Sequence, residues 1–165
     1  MNSFIRAITR FDSLLAEVEA SVLIALVVVM TTVVFLQVVY RYLLAQPLRW
    51  PEELARYVFV WISLLGAALS LHRRSHFGMD FFFRMLPHKG RRFLTFAVYL
   101  LVGVVIHVLL VYGIVLAQKT AAQQSPAMEI SMGWAYAFLP MGATLMSIHL
   151  LSILLREAVK KTEIS

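Results

Sequence analysis

With no cysteine in the chain, its five histidines are the first side chains to test as ligands. His107 and His149 lie inside long uncharged stretches, Phe93–Gln118 and Ile130–Leu155. Two histidines facing each other between membrane helices could hold a haem. Their depths argue against it. At 1.5 Å per residue, His107 is roughly 21 Å from the start of its stretch, and His149 is roughly 9 Å from the end of its own. Successive spans run antiparallel, so those two ends share one side, and the ligands would miss a common level by about 12 Å. A satisfied interhelical hydrogen bond suits both residues better. A haem-bearing membrane anchor of a redox complex is the alternative reading, and it ranks second. His72 and His76 have the i, i+4 spacing of a zinc pair, but Asp80 is the nearest third ligand and the loop around them is basic. No cofactor and no metal are expected.

A second polar group opens at Trp50-Pro51-Glu52-Glu53. Proline is tolerated in the first turn of a helix, and acidic residues there complement the helix dipole. Arg56 lies four residues after Glu52 and three after Glu53, so it can pair with either. The group marks a helix start at a membrane interface, or a polar cluster turned toward another subunit, since charges this close to lipid seek partners. Carriers place ionisable groups near the bilayer midplane, often on broken helices. This chain offers little there beyond His107 and a few hydroxyls. It has no means of holding an anionic substrate or a coupling ion, which points to an accessory or scaffold subunit rather than an enzyme or a self-sufficient carrier.

Four membrane spans must position these residues. Ala20–Tyr40, Tyr57–Leu71, Phe93–Gln118 and Ile130–Leu155 carry no Asp, Glu, Lys or Arg. A helix of about 20 apolar residues crosses a bilayer core, and the second stretch reaches that length if it starts at Pro51. The chain is 61% hydrophobic over 165 residues. Residues 1–165 therefore read as a single integral membrane domain of the all-α class, with no soluble domain and no cleaved signal peptide. Residues 1–19 repeat apolar side chains at Phe4, Ile8, Phe11, Leu15 and Val18, the pattern of an amphipathic helix running into span one. Met79–Leu86, rich in phenylalanine and ended by Pro87, reads as a short interfacial helix between spans two and three, resting on membrane lipid. Gly66 and Ser70, four apart on span two, form a small-residue face suited to close helix packing. Pro140 should kink span four.

The net charge of +6 does not indicate nucleic acid, because the basic residues sit between spans. Eleven Lys and Arg residues fall in the N-terminal segment, the middle loop and the tail. Four fall on the other side, at Arg41, Arg49, Arg56 and Lys119. The positive-inside rule then makes both termini cytoplasmic.

The segment Arg41–Asp80 resembles the small membrane subunit, the Q or DctQ-like subunit, of TRAP transporters (tripartite ATP-independent periplasmic transporters). The likeness rests on Trp50-x-Glu52-Glu53-x-x-Arg56-Tyr57, Phe59-Val60-Trp61, Leu65-Gly66-Ala67-Ala68 and the pattern Arg73, His76, Asp80. Ser125-Pro126, Gly133-Trp134-Ala135-Tyr136, Pro140-Met141-Gly142 and His149 resemble the family's last span. The resemblance implies a bacterial inner-membrane complex. In it a large membrane subunit carries the substrate and sodium sites and moves as an elevator, and a periplasmic binding protein delivers an organic anion. The small subunit would brace the large one and help receive the binding protein. On that expectation Trp50, Glu52, Glu53, Arg56, Trp61, Gly66 and Ser70 contact the large subunit, and Arg41, Arg49 and Lys119 meet the binding protein.

Overall fold

A computed structural model describes residues 3–73 and 88–162. The proposed interfacial helix Met79–Leu86, with His76, Asp80 and Arg84, lies outside the described residues. Five helices make up the rest: α1 (Ser3–Tyr42), α2 (Trp50–His72), α3 (His88–Thr120), α4 (Met132–Tyr136) and α5 (Phe138–Thr162). No β-strand occurs among the described residues. Among the described residues four segments are long and apolar enough to cross a membrane: Arg6–Tyr42, Trp50–His72, Phe93–Thr120 and Met132–Val159. The protein is therefore an all-α, multi-pass membrane protein.

α1 packs on α2, α2 on α5, and α5 on α3, while α5 also touches α1 and α4. The helices thus form a row with α2 and α5 inside and α1 and α3 outside. The core between them is built from Ala68, Leu71, Tyr99, Ile106, Ala143, Met146 and Ile153. The outer helices expose aliphatic and aromatic faces, including Ile24, Val28 and Phe35 on α1 and Leu100, Leu101 and Val104 on α3. In lipid such faces carry no penalty. What lipid cannot supply is a hydrogen-bond partner, and buried or lipid-facing polar groups must find one within the protein. The hydroxyls of Thr31, Thr32, Ser63, Thr144 and Ser147 each donate to the carbonyl four residues back, at 2.7–2.9 Å.

Residues 3–19 are helical and continuous with the first span, so α1 runs for 40 residues. That is about 60 Å, twice a bilayer core. Of its expected apolar face, Phe11 and Val18 are exposed and Ile8 and Leu15 are half-buried. The stripe that turns into the bundle is Asp12, Ala16 and Glu19. The fourth span is in two pieces, α4 and α5, interrupted at Ala137. Pro140 explains the break, because it has no N–H to give the Tyr136 carbonyl. The expected irregularity therefore falls before the proline, and Pro140 itself sits in the first turn of α5.

Small residues set how closely the helices approach. A Cβ on Gly142 would lie 2.9 Å from Leu64 Cβ on α2, and one on Gly113 would lie 2.8 Å from Leu139 Cβ. At Gly103 the nearest atom would be 3.9 Å away. Gly142→Ala should therefore destabilise the fold by about 1–3 kcal/mol through overpacking. Gly103→Ala should be neutral or gain up to about 1 kcal/mol from the better helix former. Unfolding in detergent micelles checks both; equal stabilities would mean that α2 and α5 separate without cost.

Candidate functional site

Polar side chains gather at the two ends of the bundle. One group, at the end of the bundle that we label outer after the charge pattern of the sequence, is built by the start of α2 and the turn that leads into α4. Glu53 is buried at 7% exposure, yet its neighbour Glu52 is open. Its Oε2 accepts the backbone N–H groups of Ala127, at 2.8 Å, and Met128, at 3.2 Å. Its Oε1 accepts the Tyr57 hydroxyl. The segment it holds is a hydrogen-bonded turn in which Ser125 N–H donates to the Ile130 carbonyl at 2.8 Å, Glu129 N–H to the Ser125 carbonyl at 3.1 Å and Met132 N–H to the Gln123 carbonyl at 2.8 Å, and Glu129 takes a left-handed φ of 54°. Ser131 closes the turn by donating to the Ala121 carbonyl at 2.7 Å and caps α4. Glu53 is thus a clamp that satisfies two loop amides which lipid could not. Glu52 and Arg56 pair at 3.4 Å on the surface, an exposed contact worth little to stability. Beside the clamp a cleft of about 500 Å³ is lined by Arg49, Glu52, Arg56, Tyr57, Pro126 and Tyr136.

The inner-end group joins four helical positions in two matched pairs. Asp12 and Glu19 are seven residues apart on α1, and His149 and Arg156 are seven apart on α5. Seven residues is two helical turns, so each pair shares one face. On antiparallel helices the two faces can meet residue for residue, and they do. Asp12 Oδ1 lies 2.7 Å from His149 Nδ1, and Oδ2 lies 2.6 Å from Arg156 Nη2. Both Glu19 oxygens lie 3.1 Å from His149 Nε2. His149 is fully buried, Asp12 is 2% exposed and Glu19 3%. A neutral imidazole has one N–H and satisfies one of these carboxylates, whereas the imidazolium donates to both. With the ring in that form, two cations balance two anions.

His72, from the last turn of α2, completes the group. Its ring stands edge-on to that of His149 with centroids 5.0 Å apart, and its Nδ1 is 3.1 Å from Asp12 Oδ2 without the alignment of a hydrogen bond. One ligand atom from each of Asp12, His72 and His149 lies within 4.8 Å of the others. That is close enough for a metal. Arg156 already occupies Asp12 Oδ2, however, and a guanidinium at the same carboxylate opposes a second cation. The haem reading is not favoured either, because each nitrogen of His149 faces a carboxylate and none is left for iron. His107, the other proposed ligand, is exposed on α3.

The expected partner-contact residues divide. Trp50, Glu52 and Arg56 are exposed at the start of α2, and Arg41, Arg49 and Lys119 are exposed at the same end of the bundle. Glu53 is turned inward as the clamp. Trp61 packs edge-on against Phe138, with centroids 6.4 Å apart. A Cβ on Gly66 would meet Leu23 of α1 at 3.6 Å, so this part of the small-residue face serves α1. Ser70 is half-buried. Asp12, Glu19 and Arg156 are absent from the sequence-derived set. Their signal was the paired seven-residue spacing of opposite charge on two helices, which no single segment displays.

The two groups lie toward opposite ends of the bundle. The fold and its polar groups define a multi-pass membrane protein whose buried charges fasten helices together. Residues 30–160 match the model of the tripartite ATP-independent periplasmic transporters, DctQ component, and the chain belongs to that family. It is 33% identical to the sialic acid TRAP transporter small permease protein SiaQ of Vibrio cholerae, over 79% of this chain and 75% of that one. It is 32% identical to the C4-dicarboxylate TRAP transporter small permease protein DctQ of Rhodobacter capsulatus, over 63% and 47%. It is also 34% identical to the sialic acid TRAP transporter permease protein SiaT of Haemophilus influenzae, over 67% of this chain and 18% of that much longer one.

Removing one member of a buried ion cluster strands the others. Asp12→Ala should therefore destabilise the isolated protein by about 3–5 kcal/mol. In the Asp12→Ala background, a further His149→Ala change should have a smaller effect than it has alone, with a coupling of about 0.5–3 kcal/mol. A double-mutant cycle of unfolding in micelles measures this, and strict additivity would show that the two side chains do not interact.

Proposed function

We propose that this chain is the non-catalytic small permease subunit of a sodium-driven, binding-protein-dependent TRAP transporter for organic anions of the carboxylate class. It braces the large transport subunit in the bacterial inner membrane, with both termini in the cytoplasm, and helps dock the periplasmic binding protein. One observation carries the reading. The chain belongs to the DctQ family, and among the described residues its buried carboxylates Asp12, Glu19 and Glu53 are committed to contacts at the two ends of the bundle rather than at the midplane, where a carrier would hold its substrate or ion.

The partnership with a larger permease chain is supported by the match to SiaT, in which a segment like this one makes up less than a fifth of a single protein. Trp50, Glu52 and Arg56 remain the best candidates for contact with that partner, because they are exposed where Glu53, Trp61 and Gly66 are used internally. The names of the relatives include sialic acid and C4-dicarboxylates, both carboxylates. They support an anionic substrate class without selecting a member of it.

Docking of the binding protein is expected to use Arg41, Arg49 and Lys119. Exposed charges steer transient encounters more than they bind. Arg49→Glu should slow uptake by vesicles holding the assembled transporter, while both membrane subunits still co-purify. The loss should shrink at about 1 M salt, where the screening length falls to about 3 Å. Unchanged uptake at low salt would reduce Arg49 to a headgroup anchor. Orientation is tested separately. With the positive-inside arrangement, a cysteine placed at Ser3 should be shielded from an impermeant reagent added outside spheroplasts, and one at Gln123 should react. Labelling of both from outside would overturn the topology.

A further inference from the structure

His107 stands apart from every other polar group of the spans. It is the fourteenth residue after Phe93 and the thirteenth before Thr120, so it sits at the centre of the third span, roughly 20 Å from either end. It is exposed and makes no hydrogen bond to any described residue. The hydroxyls of Thr31, Ser63 and Ser147 turn back on their own helices, His149 is enclosed by carboxylates, and the unpaired Ser152 hydroxyl is buried inside the bundle rather than open to the membrane. An imidazole carries both a donor and an acceptor. At the middle of a bilayer neither water nor an acyl chain can satisfy them, and unsatisfied polar groups there are strongly disfavoured.

The surface around His107 has the shape to take a helix. A groove of about 450 Å³ runs along α3 and α5, lined by Phe96, Gly103, Val104, His107, Leu150 and Leu154. Gly103 leaves its floor open, with nothing nearer than 3.9 Å to the position of a Cβ. A small residue at the floor lets a second helix approach closely. α3 is an outer helix of the row, so the groove is reachable from the membrane. A lipid chain could fill the apolar part but would leave the imidazole unpaired.

We propose that the His107 face of α3 receives a transmembrane helix of the larger permease subunit, which presents a hydrogen-bonding side chain to the imidazole at mid-membrane. This rests on the assembly reading above. A helix of that subunit fits better than a second copy of this chain, because SiaT contains one such segment's worth of likeness within one long permease.

The test uses the co-expressed membrane complex. A photoreactive benzoylphenylalanine at Val104, one turn from His107, should yield an adduct between the small and large subunits. His107→Leu should weaken association of the subunits by about three- to fifteen-fold, the range of one interhelical hydrogen bond. It should leave the unfolding midpoint of the isolated small subunit unchanged or raised, and His107→Gln should restore association. A role inside the small subunit would instead lower that midpoint. If the wild-type complex co-purifies but position 104 gives a small-subunit dimer or no protein adduct, this inference is overturned and the assembly reading stands. If wild-type small subunit captures no larger permease, the assembly reading fails and this inference goes with it.

Discussion

Two carboxylates of α1 meet two basic side chains of α5 at the inner end of the bundle, and the arrangement of the spans follows from that meeting. Burying any one of these groups alone is severely unfavourable. Together they tolerate burial, because each is paired in a geometry close enough to offset its lost hydration. The requirement is strict in register. A rotation of α1 by one residue would carry Asp12 and Glu19 away from α5 together, since both lie on one face. Apolar packing does not impose such a choice in lipid, where a leucine is as comfortable outside the bundle as within it. The cluster therefore fixes which face of a largely aliphatic helix turns inward.

The outer end is held by a different device with the same logic. Glu53 ties the turn before α4 to the start of α2 through two backbone amides. That turn follows one span and precedes another, and the amides of Ala127 and Met128 at its tip are paired with no other backbone group. One carboxylate supplies them. Between the two ends, approach is governed by size: Gly113 and Gly142 sit where no Cβ would fit without displacement, and α2, α3 and α5 close on them. An ion cluster at one end, a carboxylate clamp on backbone amides at the other and small residues between them hold a slab whose outer helices stay free for lipid or protein.

A slab of this kind suits a DctQ-family subunit. Its buried carboxylates are spent on its own architecture. What it can offer a partner is shape and a fixed position in the membrane. His107 is the exception to this self-sufficiency, being central, exposed and unpaired among the described residues.

The sequence by itself determined the four spans, the all-α class and the family likeness. Long uncharged runs have no other stable state in a bilayer, and Trp50-Pro51-Glu52-Glu53 marks a helix start from local chemistry alone. It also marked His149 and His107 as polar groups in need of partners. It did not reveal that one is satisfied within the chain and the other is not. On the apolar periodicity of residues 1–19, Asp12 falls off the repeating face and Glu19 carries no signal of its own, because in a single segment a charged residue usually faces water. Tertiary structure reversed that, bringing His149 and Arg156 against them across 130 or more residues of chain. Gly66 likewise marks a face for close packing in the sequence, and the fold places Leu23 of α1 against it at 3.6 Å from the position of a Cβ. Periodicity reports which residues share a face, and in lipid the hydrophobic effect no longer says which face turns inward. That choice belongs to hydrogen bonds and charge pairs, and these form only when distant helices are brought together.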